Sequence, residues 1–115
     1  MRADPIAAAQ RPRRGHSGRL ENALRALALG HGSVIEHRER SWASITFAGT
    51  RHTLCITFDS PEAIEGGEAL IACLPDHEFA IPGYLVADAQ VIGATHTMAP
   101  EPKLVVEVEL LLLEE

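Results

Sequence analysis

Asp76, His77 and Glu78 stand in a row within "CLPDHEFAIPGY" (residues 73–84), two carboxylates flanking an imidazole. These are the groups used for general acid–base work and for binding cations. Successive side chains diverge from an extended backbone, so at most one or two of the three can converge on a single ion or substrate, with help from elsewhere. Pro75 precedes them and ends a helical pattern, which makes a solvated crest between a helix and a strand the competing reading. His77 lies near the negative end of that helix and is the member of the trio whose location matters most.

Four of the other histidines offer less by spacing. His31, His37, His52 and His96 include no i, i+4 pair of the kind that holds zinc on a helix, and no HxH occurs. His52 alternates with Leu54, Ile56 and Phe58, so a strand would turn it toward the core, as a hydrogen-bonded core residue or as part of a site with His77, Asp76 or Glu78. No metal centre and no cofactor are expected from these patterns.

A nucleophile is harder to find. Cys55 and Cys73 match no CxxC pattern and sit among apolar neighbours, where a thiol is inert. No GxSxG elbow occurs. "GHGS" (30–33) follows a helix and precedes a strand, the wrong polarity for a phosphate loop, and "EGGE" (65–68) lies inside a helical pattern. Glu107 and Glu109 share one face of the last strand, where carboxylates commonly keep a sheet soluble. The chain is therefore expected to bind rather than to catalyse.

The elements that position these residues follow from periodicity. Ser17 reads as an N-cap, and Leu20, Ala23, Leu24 and Leu27 form one helical stripe that Gly30 ends. "SVIEHRERSWASITFAGTRHTLCITFDS" (33–60) alternates and is rich in β-branched residues, as strands are. "AGT" (48–50) predicts a tight hairpin with Ala48-Gly49 as its loop. That register puts Ala43, Ile45, Phe47, His52, Leu54, Ile56 and Phe58 on the core face. Ser60 and Pro61 open a second helix, which contains Gly66 and Gly67 and stops at Pro75. Two further strands follow, "YLVADAQVIGATHT" (84–97) and "KLVVEVELLLLEE" (103–115), joined by "MAPEP". In the first, alternation turns Leu85, Ala87, Ala89 and Val91 one way and Tyr84 and Val86 the other.

The order α-β-β-α-β-β predicts an α+β two-layer sandwich, an antiparallel sheet of about four strands with two helices on one face. The outer face, with Trp42, Thr46, Thr57, Tyr84 and Val105, is more apolar than solvation alone requires and reads as an interaction surface. Residues 1–16 carry four arginines against one aspartate and read as a flexible basic arm, leaving 17–115 as a single domain. That domain holds 6 basic and 15 acidic side chains, which repel phosphate backbones and anionic lipid, so nucleic acid is not an expected partner. No apolar run approaches the ~20 residues that span a bilayer as a helix, and two isolated thiols suit a reducing cytoplasm. The function expected is that of a small cytoplasmic domain working through protein–protein contact, as a homodimer or accessory subunit. The alternative is a small-molecule or metal-binding domain centred on His77.

Overall fold

The computed structural model describes residues 15–115. They form α1 (Gly15–Leu27), β1 (Ser33–Ala43), β2 (Ala48–Phe58), α2 (Pro61–Cys73), a 3-10 turn at Leu74–Asp76, β3 (Tyr84–Thr97) and β4 (Lys103–Glu114). The four strands make one antiparallel sheet in the order β1-β2-β4-β3. Both helices lie on one face, giving the expected α+β sandwich, only 20 Å deep along its short axis. Residues 1–14 of the expected basic arm lie outside the described residues. Gly15 and His16 already belong to α1, so Ser17 sits in the first turn rather than capping it.

The core lies between the layers. Leu20 and Leu24 of α1, Ala28 just after it, and Ile64 and Leu70 of α2 meet Leu54, Ile56 and Phe58 of β2 and the alternating Leu104, Val106, Val108, Leu110 and Leu112 of β4. The two inner strands thus supply most of the sheet's buried side chains, as their strict alternation requires. α2 begins as its sequence predicts: the Ser60 hydroxyl accepts the N–H of Ala63 at 3.1 Å, with Pro61 following. Gly66 and Gly67 are helical and buried because nothing larger fits. A Cβ on Gly66 would stand 2.2 Å from the carbonyl oxygen of Ala28 at the end of α1, and one on Gly67 would meet Leu104 at 2.7 Å and Phe58 at 2.8 Å.

Two expectations about register are corrected. The β1–β2 turn is Ser44-Ile45-Thr46-Phe47, not Ala48-Gly49; Ala43 pairs with Ala48 and Trp42 with Gly49. The Ser44 amide donates to the Phe47 carbonyl at 2.8 Å, and the Phe47 amide donates to the Ser44 hydroxyl at 3.1 Å. Serine thus closes a turn that carries no glycine or proline. Ile45 and Phe47, expected in the core, stand in solvent at 103% and 52% exposure, and Ala43 is exposed as well. His37, Glu39 and Ser41 take the core-facing positions of β1 instead, opposite Leu54, His52 and Thr50.

The second correction concerns β3. Register shifts between Val86 and Asp88 and between Val91 and Gly93 insert Ala87 and Ile92 as extra residues, and each reverses the alternation. Tyr84, Val86, Ala89 and Val91 therefore all pack toward the core, while Leu85 is 52% exposed. A third shift, between Val34 and Glu36, makes Ile35 the extra residue of β1.

The thiols also part company. Cys73 is exposed at the end of α2, contrary to expectation, and Cys55 is half-buried on the outer face. Burial, then the nearby carboxylates of Glu107 and Glu36, push the Cys55 thiol above its ordinary pKa, only partly offset by Lys103. Since the thiolate is the nucleophile, iodoacetamide at pH 8 is expected to alkylate Cys73 well before Cys55. Peptide mass spectrometry over a time course reads the order, and equal rates would contradict this account of Cys55.

Candidate functional site

Polar groups gather at one end of the core, between α1 and the β1–β2 hairpin. The inward stripe of α1 runs Ser17, Leu20, Glu21, Leu24 and is continued by Ala28 just past its end, so a hydroxyl and a carboxylate sit where apolar side chains would be expected. Opposite them, alternation on β1 presents His37 and Glu39, and alternation on β2 presents Thr50 and His52. His52 is fully buried.

These groups form connected contacts. Glu21 Oε2 lies 2.5 Å from His37 Nδ1, His37 Nε2 lies 2.8 Å from His52 Nδ1, and His52 Nε2 lies 2.8 Å from the Thr50 hydroxyl. Ser17 donates its hydroxyl to Glu39 Oε2 at 2.5 Å. His16, in the first turn of α1, stacks on Tyr84 with ring centroids 4.4 Å apart and stands edge-on to His52 at 5.4 Å. Its Nε2 points toward Glu39 Oε1 at 3.9 Å, too far for a hydrogen bond. Three imidazoles and two carboxylates from α1, β1 and β2 thus occupy one layer, a set able to relay protons or to ligate a cation.

The residues singled out from sequence are dispersed. Asp76, His77 and Glu78 are all exposed. Asp76 ends the 3-10 turn, the His77 amide donates to the Leu74 carbonyl at 3.3 Å, and the His77 ring stands edge-on to Phe79 at 4.5 Å. Among the described residues, the grouping of three metal-ligating side chains is His16, Glu39 and His52, and the crest trio is not part of it. Only His52 of the four candidates lies in the polar layer. His37 was weighed only by its spacing to other histidines, and His16, Glu21 and Glu39 went unnoticed because they are scattered along the sequence; the corrected hairpin register, which sets Glu39 opposite His52, was the signal for the β1 members, and nothing in the spacing pointed to the two on α1.

The outer sheet face carries the other candidate surface. No helix covers it. Trp42, Thr57 and Val105 lie on it as expected, Thr46 is exposed in the β1–β2 turn, and Tyr84 is on the opposite, helix-covered side beside His16. Alternation adds Thr53 and Leu111 to the face and divides its charges between the two halves of the sheet. Arg38, Arg40 and Arg51 outweigh Glu36 on the β1–β2 half, and Glu107, Glu109 and Asp88 outweigh Lys103 on the β4–β3 half. Arg51 crosses the boundary to Glu109 at 3.3 Å, and Glu36 is held by Arg38 at 3.6 Å. Arg38, Arg40, Arg51, Thr53, Ile92 and Glu109 line a shallow depression across the middle.

Neither a protein-family model nor a characterised protein sequence matches the chain. Among solved structures it is similar to a chain from the virion of a native gene transfer agent particle. The TM-score is 0.54 over 98% of this chain and 100% of that chain, with 14% sequence identity. At this identity the likeness is one of fold.

Proposed function

We propose that the chain is a non-catalytic packing subunit that meets a second copy of itself through the open face of its sheet. The observation that supports this most directly is the division of charge on that face. In the order β1-β2-β4-β3, a two-fold axis along the strands lays the Arg38/Arg40/Arg51 half of one sheet over the Asp88/Glu107/Glu109 half of the other. Trp42, Thr53, Thr57, Val105 and Leu111, interspersed among those charges, supply the uncharged surface to be buried between them.

The size is adequate. Four strands ~4.8 Å apart and ~11 residues long at ~3.3 Å each present roughly 700 Å², near the ~800 Å² that each partner contributes to a standard interface. The fold likeness to a virion chain agrees with a role in assembly by protein contact. An accessory partner of different sequence is the competing occupant of the same face.

Light scattering coupled to size exclusion is expected to give twice the chain mass at high micromolar concentration. Arg40 is exposed and makes no ion pair among the described residues. Its reversal, Arg40→Glu, is therefore expected to weaken the dimer at least tenfold while leaving the thermal midpoint of the monomer unchanged. A strict monomer at that concentration would overturn the self-association, as would a dimer indifferent to Arg40→Glu.

A further inference from the structure

We infer that His16, Glu39 and His52 form a binding site for a zinc-class divalent transition-metal ion, on the side of the sheet opposite the proposed dimer face. Nε2 of His16 is the first reason. It is buried and has no hydrogen-bond partner, and it is the side-chain nitrogen or oxygen for which this holds among the described residues. A buried imidazole nitrogen without a partner is costly unless something binds it.

The second reason is convergence. One ligand atom from each of the three residues lies within 4.8 Å of the others, with His16 Nε2 and Glu39 Oε1 at 3.9 Å. Zinc–ligand bonds of ~2.0–2.1 Å in a tetrahedron separate ligand atoms by about 3.3 Å. Small side-chain rotations therefore close the triangle around an ion, with a fourth position left for water or another ligand. Imidazole with carboxylate suits zinc, iron, nickel or cobalt rather than calcium or magnesium, which take oxygen ligands.

The third reason is the hydrogen-bond chain behind His52. With both rings neutral, His37 donates its Nδ1–H to Glu21, which leaves His37 Nε2 as an acceptor for the Nδ1–H of His52. The lone pair of His52 is then on Nε2, the atom that faces the Thr50 hydroxyl. A metal ion would take that lone pair in place of the Thr50 hydroxyl. Glu21–His37–His52 is thus the outer support that fixes the tautomer and orientation of a ligating imidazole. Ser17 does the same for Glu39 by holding its other carboxylate oxygen, and Tyr84 fixes the plane of His16 by stacking. The carboxylates of Glu39 and Glu21 together offset the charge of a divalent ion.

Calorimetric titration of the metal-stripped full chain with Zn²⁺, repeated with Co²⁺, tests the site. One ion per chain is expected, with a rise in thermal midpoint on binding. His16→Gln and Glu39→Gln are each expected to weaken binding at least tenfold and to abolish the thermal rise. Both residues are part-exposed, and circular dichroism of each variant verifies its fold. His77→Ala is expected to bind as the parent does. Absence of saturable binding would overturn the assignment. So would undiminished affinity in His16→Gln and Glu39→Gln, or loss of binding in His77→Ala, which would move the site to the crest after α2.

Discussion

His52→Ala is expected to lower the free energy of unfolding by about 3–5 kcal/mol, the largest single effect foreseen for this chain. Two costs combine. The imidazole is fully buried, so its removal leaves a cavity of the kind that costs ~2–4 kcal/mol in a packed core. Its two ring nitrogens also serve His37 and Thr50, and each polar group left without a partner in the interior adds ~1–3 kcal/mol. Relaxation of the helix over the gap returns part of that sum. Against a domain stability of ~5–15 kcal/mol, the variant would be marginal at room temperature. Urea unfolding followed by circular dichroism measures the loss. His52→Gln, which keeps a side-chain amide within reach of one neighbour, should lose less than alanine does. A loss below ~1 kcal/mol for His52→Ala would mean that the polar layer contributes nothing to holding α1 on the hairpin.

Gly66→Ala is expected to destabilise by about 1–3 kcal/mol, against the direction that helix propensity predicts. In a solvent-facing helix, alanine in place of glycine gains ~0.8–1 kcal/mol. Here the new methyl would lie 2.2 Å from the Ala28 carbonyl oxygen and 3.1 Å from the Cβ of His31. The obstructing atom is backbone at the end of α1, which cannot rotate aside, so the two helices must separate. Overpacking of this kind costs ~1–3 kcal/mol and more where the backbone resists. Gly66→Val should be worse than alanine, because it adds two further carbons at the same contact. Denaturant midpoints of both variants, with the exposed Glu65→Ala as reference, read the sign directly. A stabilised Gly66→Ala would show that the helices are not held at this distance by the rest of the core.

Much of the architecture was legible because local pattern and tertiary environment agree where burial is one-sided. Leu20 and Leu24 on α1, and Leu104 through Leu112 on β4, alternate or recur at the period their element demands, and all are buried. Ser60-Pro61 marked the start of α2 for the same local reason. The misreadings occur where a single inserted or displaced residue changes parity. Ser44 closes the β1–β2 turn with its own hydroxyl, so an apolar Ile45 and Phe47 stand at a tip that composition assigns to a strand. Ala87 then exchanges the two faces of β3 midway along it. A shift of one residue moves every side chain to the opposite face, which is why Tyr84 was sought on the wrong one.

The candidate metal site was illegible for a different reason. Its three residues are 23 and 13 positions apart in turn, His16 to Glu39 and Glu39 to His52, and no spacing rule joins them. What unites them is the register of one hairpin and the docking of one helix. By contrast, the adjacency of Asp76, His77 and Glu78 drew notice as a sequence feature, while the backbone disperses the three side chains along an exposed connector.

The positions of the three extra residues have a consequence for growth. Ile35, Ala87 and Ile92 all lie on β1 and β3, and β2 and β4 pair without a register shift. In the order β1-β2-β4-β3, those bulged strands are the two margins of the sheet. A bulge twists a margin and breaks the run of evenly spaced amide and carbonyl groups that another strand would need. Chain-to-chain extension of the sheet, the route to open-ended fibres, is thereby disfavoured over the bulged stretch of each margin. Under the proposed pairing, assembly would be left to contact across the open face, which a two-fold axis completes after one partner, so the same sheet would both invite association and set its limit at two.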